Sequence, residues 1–121
     1  GSVVTLNNGE QIPIEQVSHL VVPVQGMKIT YATDFRYSPQ NVERVLALAQ
    51  GSDILYCESN FLAEDEDKAH TAHHLTAEHA GMIAQEAGVG ELRLFHHSRK
   101  YLGREEEFVE QARKHYTGNV V

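Results

Sequence analysis

Asp53-Ile54-Leu55-Tyr56-Cys57-Glu58 sets an apolar run between two carboxylates. So short and continuous a run suits a strand buried on both faces, as in a parallel sheet held between layers. The residues before it agree. Ser38-Pro39 opens a helix, with Ser as N-cap and Pro in the first turn. Val42, Val45, Leu46 and Ala49 then share one face, and Gly51 stops the helix. Earlier still, Met27-Lys28-Ile29-Thr30-Tyr31-Ala32-Thr33 is a strand by its β-branched and aromatic content and ends at Asp34. His19-Leu20-Val21-Val22 reads the same way. Val3-Val4-Thr5-Leu6 and Gln11-Ile12-Pro13-Ile14 flank Asn7-Asn8-Gly9, a turn signal, and form a hairpin.

After the central strand, residues 63–73 are polar and acidic, suiting a loop with a short helix. Thr76 caps a further helix with Ala80, Ile83, Ala84 and Ala87 in register and Gly88 at its end. Leu92-Arg93-Leu94-Phe95 is the next strand and delivers His96. A last helix covers residues 104–116, with Phe108, Val109, Ala112 and Tyr116 inward. Strand, helix, strand, helix, strand, helix calls for a mainly parallel sheet with right-handed crossovers. Chemistry in such sheets gathers where strands end and loops begin. Asp34, Glu58, His74 and His96 all stand at such places.

Composition narrows the function classes. The chain has 121 residues, 41% of them apolar, enough for one modest core. Gly1-Ser2 reads as an expression-vector scar, and residues 3–121 as a single unit. A net charge of -7 works against autonomous nucleic-acid binding, which needs surplus Lys and Arg. No apolar run is long enough to span a bilayer, so no membrane partner is expected. Cys57 is the lone cysteine, and the expected compartment is a reducing cytoplasm. Eight histidines are unusual for this length, and seven lie in the second half. Singly they are solvated imidazoles; as a group they suit zinc and similar metals.

Four segments in series carry a resemblance. Thr30-Tyr31-Ala32-Thr33-Asp34-Phe35-Arg36, Tyr56-Cys57-Glu58-Ser59-Asn60-Phe61, His74-Leu75-Thr76-Ala77 and Leu94-Phe95-His96-His97-Ser98-Arg99-Lys100-Tyr101 resemble motifs of ribonuclease Z and its relatives in the metallo-β-lactamase superfamily. Thr33 stands where the family pattern has Gly, Cys57 where it has His, Leu75 where it has Ser and Lys100 where it has Arg. The His-x-His-x-Asp-His motif of the family's N-terminal half is absent from this sequence. The resemblance implies an α/β fold: the C-terminal αβ half of an αββα sandwich, a mixed sheet with helices on one face. It implies a dizinc (or dimanganese) hydrolase of phosphodiesters such as RNA, working with an N-terminal half that this chain lacks. The half alone is expected to be inactive, metal-free and prone to self-association. The alternative class is a non-catalytic module that binds itself or a partner.

Within the resemblance, Asp34 is the bridging metal ligand and His96 the terminal ligand of the second ion. Glu58 orients His74, which gives a proton to the leaving oxygen. Each residue also has a plain reading. Asp34 can cap the turn before Ser38, His96 can bond a neighbouring loop, Glu58 can be a strand-end carboxylate, and His74 can simply precede a helix. His97 competes with His96, although strand alternation lets only one face the site. His70, His73, His79 and His115 read as surface residues, Cys57 as an inert buried thiol, and Arg36, Arg99 and Lys100 as basic groups within reach of phosphate.

Overall fold

In a computed structural model the expected elements form in the expected order. The structure describes residues 26–33 and 35–121 in full, and the backbone of 3–5, 11–13 and 19–24. Strands β1 (Val3–Thr5) and β2 (Gln11–Pro13) pair antiparallel, Val4 opposite Ile12. Leu6, Ile14 and the Asn7-Asn8-Gly9 turn lie outside the described residues. Strands β3 (His19–Val24) and β4 (Met27–Ala32) form an antiparallel hairpin. To β4 are added, all parallel, β5 (Ile54–Glu58), β6 (Glu91–Phe95) and β7 (Asn119–Val120), in the order β3-β4-β5-β6-β7.

Helix α1 (Pro39–Ala49) begins as its sequence dictates: the Asn41 amide donates to Ser38 Oγ at 3.3 Å, and Gly51 follows at φ +69°. A 3-10 turn (Ala63–Asp65) leads into α2 (Glu66–Thr71). Helix α3 (Ala77–Ala87) is capped by Thr76 and ends at Gly88 in the left-handed conformation. A second 3-10 turn (Arg99–Tyr101) precedes α4 (Glu105–Arg113). No helix among the described residues is long and apolar enough to cross a membrane.

Four parallel strands laid down in chain order, joined by crossovers of one hand, put α1, α3 and α4 on a single face of the sheet. Helix α3 sits centrally on β5 and β6, packed against α1 and α4. The core fills the gap: Ala32, Leu55, Cys57 and Leu92 from the sheet meet Val45, Ala49, Ile83, Ala84 and Ala112. Burying Leu55 and Leu92 fully stabilises by roughly 1.5–3 kcal/mol apiece. A smaller cluster of Leu62, Ala77, Tyr101 and Phe108 closes the end where the chemistry-bearing loops lie.

This topology corrects the reading of Ile54-Leu55-Tyr56-Cys57 as buried on both faces. Leu55 and Cys57 are buried under the helices, whereas Ile54 and Tyr56 are half-buried on the opposite face. The crossovers supply helices to one side only, so the described residues leave the other open. There Tyr31 stacks on Tyr56 with ring centres 4.6 Å apart, and the Arg93 guanidinium lies 5.4 Å from the Tyr56 ring centre. Strand β7 is an addition that pattern reading passed over. Two residues are too few to alternate visibly, yet Val120 is buried beside Leu92.

Candidate active site

Glu58 is the last residue of β5, and the parallel register opposes it to Phe95 of β6. That places its carboxylate between the loops after β4 and β6. The segment after α2 is drawn to the same end by main-chain bonds: Phe61 N–H donates to Leu75 O at 3.3 Å, and Ala77 N–H to Phe61 O at 2.9 Å. His74 thereby lies against β5. The loop after β6 is fixed by Ser59 N–H to Phe95 O at 3.0 Å and by Asn60 Nδ2 donating to His96 O at 2.9 Å.

The outcome is a carboxylate hub. Glu58 is fully buried, and an unpaired carboxylate there would cost several kcal/mol. Its Oε2 meets His74 Nδ1 at 2.7 Å, and its Oε1 meets both His96 Nδ1 at 3.2 Å and the Thr33 hydroxyl at 3.1 Å. An ionised carboxylate only accepts. Each imidazole therefore carries hydrogen on Nδ1, and each Nε2 is left for other work. The two rings stand edge-on with centres 6.0 Å apart. His74 also lines a cavity of about 180 Å³ with Tyr37, Glu66, Asp67, His70 and His79.

Both described non-glycine residues at positive φ belong to this neighbourhood: His73 at +62° and His96 at +65°. Such backbone costs roughly 1–3 kcal/mol per residue and persists only where the surroundings hold it. His73 is held by Arg36, whose Nη2 lies 2.5 Å from His73 Nε2 and whose Nε donates to His70 O at 3.1 Å. Past the turn at His96 the next ring points elsewhere. His97 packs on Phe108 with ring centres 4.0 Å apart and sets Nδ1 3.2 Å from Ser59 O. Burial lowers its pKa.

Of the four candidates, Glu58, His74 and His96 come together; Asp34 lies outside the described residues. His96 fits a metal ligand in one respect. A carboxylate on Nδ1 that leaves Nε2 free is the arrangement that orients metal-binding histidines. Among the described residues no three His, Cys, Asp or Glu side chains converge as a metal cluster. His79, read as a surface residue, is instead buried. It replaces the acidic residue of a capping box: Thr76 N–H donates to its Nδ1 at 3.2 Å, so Nε2–H donates to Glu66 at 2.9 Å. Tyr37 stacks on the ring, centres 4.0 Å apart. Cys57 is wholly buried, and desolvation pushes its thiol far up, as an inert thiol requires. Lys100 is engaged by Asp65 at 2.7 Å, and Arg99 is exposed.

Thr33 and Asn60 are the partners that sequence reasoning passed over as functional. Thr33 had a signal, its departure from glycine; nothing local marks Asn60.

No family model matches the chain. Curated relatives do. It is 34% identical to ribonuclease Z of Lactiplantibacillus plantarum over 122 residues, covering 100% of this chain and 37% of that protein. It is 44% identical to ribonuclease Z of Streptomyces coelicolor over 89 residues, covering 74% and 28%. The chain thus spans about a third of the length of these relatives. Among solved structures, the metallo-β-lactamase fold protein YhfI of Bacillus subtilis superposes with a TM-score of 0.74 at 26% identity, covering 85% of this chain and 39% of that one. Human tRNase Z, short form, gives 0.59 at 24% identity over 68% and 31%, a likeness of fold.

Proposed function

We propose that this chain, which belongs to the metallo-β-lactamase superfamily among its ribonuclease Z-like members, is the C-terminal αβ half of a metal-dependent phosphodiesterase acting on RNA. The observation that carries the reading is the Glu58 hub, which fixes two imidazoles by Nδ1 and leaves each Nε2 unbonded to any other described residue. His96 would hold a metal through Nε2, together with Asp34 and ligands from an N-terminal half. Zinc or manganese there would supply an activated water and charge stabilisation on the phosphate. Glu58 orients His74; once its Nε2 has taken up a proton from solvent, the ring delivers that proton to the leaving oxygen, while Nδ1–H stays on the Glu58 carboxylate. By itself the half offers fewer protein ligands than the three of a catalytic zinc site, so we infer that it is inactive without its N-terminal partner.

The test is metal stoichiometry by mass spectrometry beside steady-state kinetics on the intact parent. Asp34→Ala and His96→Ala should lose metal and rate together. His74→Ala should keep its metal while turnover drops about 10² to 10⁴-fold. Glu58 touches both imidazoles, so Glu58→Ala should show that rate loss and also bind metal roughly 10 to 100-fold more weakly. Full metal and full activity in all four would overturn the reading. A second reading, a self-associating module, draws on the open sheet face, where Tyr31 is 39% and Met27 41% exposed.

A further inference from the structure

We propose that Thr33 is a positioning residue for this site, its hydroxyl holding the Glu58 carboxylate in the one plane that serves both imidazoles. The observation is a shared oxygen. Thr33 Oγ1 and His96 Nδ1 reach Glu58 Oε1 at 3.1 and 3.2 Å, while His74 Nδ1 takes Oε2 at 2.7 Å. A carboxylate on two rotatable bonds, bound by a single imidazole, can swing about that contact. A second donor on the other oxygen removes the freedom. His96 is the weaker anchor because its side chain is 55% exposed and its contact is longer than that of His74. Thr33 is better held. It directly follows β4, whose Ala32 is paired with Cys57, so the backbone register brings the hydroxyl beside Glu58. Threonine is stiff at χ1, which gives the donor a fixed direction.

The inference rests on the proposed function for its catalytic meaning, but the geometry predicts something readable without turnover. With Glu58 clamped, His96 is held as the Nδ1–H tautomer. Without the Thr33 hydroxyl the carboxylate turns toward His74, and His96 is released to exchange between tautomers. Long-range proton–nitrogen spectra of the 121-residue chain distinguish the two states. The comparison is wild type with Thr33→Val, Thr33→Ala and Thr33→Ser. In wild type and Thr33→Ser both His74 and His96 should be single Nδ1–H tautomers. In Thr33→Val and Thr33→Ala, His74 should be unchanged and His96 should average between forms. The amide signals of Leu55 and Leu92 report that the sheet is intact, and of the two hydroxyl-free variants the one that keeps them is read. A His96 signature identical in wild type and that variant overturns the role of Thr33 alone. A wild-type His74 lacking the Nδ1–H tautomer instead overturns the Glu58–His74 pair, and with it the proposed function.

Discussion

His79 shows how one imidazole can be structural while His74, close by in sequence, joins the Glu58 hub. It accepts from the Thr76 amide, donates to Glu66 and stacks on Tyr37, all of which suit the neutral ring. Burial is the largest influence on it and lowers its pKa from the ordinary 6.5. The sign of the linkage follows. The unfolded chain takes up this proton first as pH falls, so the contribution is full above about pH 6.5 and is lost as pH drops toward the lower folded value. His79→Gln keeps the capping box, since glutamine serves at that position, and removes the titration. Denaturant unfolding of the chain between about pH 7 and about pH 5 should show a flatter stability profile for this variant. His97, also lowered by burial, should keep the profile from becoming level. An unchanged profile would mean that His79 is not what loses stability on that side.

Between elements, α3 comes close to α4 at Gly81. A Cβ placed on Gly81 would lie 2.4 Å from the Ala112 carbonyl oxygen and 2.9 Å from its Cα. Backbone cannot give way as a side-chain end does, so Gly81→Ala must push the helices apart. Two effects compete. Alanine improves helix propensity by about 1 kcal/mol, whereas overpacking a filled contact costs typically 1–3 kcal/mol. The clash should win, and chemical denaturation should register a net loss of up to about 2 kcal/mol. A stabilised Gly81→Ala would show that α4 sits farther out than described. The helix ends needed no such context. Ser38 and Thr76 make the bonds that their places in the sequence announce, and Gly51 and Gly88 adopt the left-handed conformation that stops each helix.

For the molecule as a whole, one-sided crossovers leave the Tyr31–Tyr56–Arg93 row facing away from the helices. A sheet face that the described residues leave uncovered, with aromatics upon it, is a surface suited to association. In sedimentation velocity the isolated chain should therefore run larger than a monomer. Tyr31→Lys, which puts a charge into that row, should weaken association roughly tenfold, since a buried interface tyrosine commonly contributes that much. A clean monomer without apolar dye binding would remove this surface from consideration and with it the module reading.

The sequence by itself determined the order of elements, the caps at Ser38 and Thr76, and the places of Glu58 and His96 at the ends of strands. Those are local properties, written in periodicity and in the few residues on each side. It also placed the chain by four short motifs that the similar proteins bear out as kinship. Three things waited on the tertiary structure. One was the hub, because Glu58 reaches His74 across 16 residues and His96 across 38, distances that only strand register and loop pairing span. Another was the burial of His79, whose Thr76 cap was legible but whose cover by Tyr37 and Glu66 was not. The last was the face of β5 that the described residues leave open. Ile54-Leu55-Tyr56-Cys57 is apolar at every position, and such a run states that a strand is worth covering without saying on which sides. The hand of the crossovers decides that, and it is a property of the whole sheet.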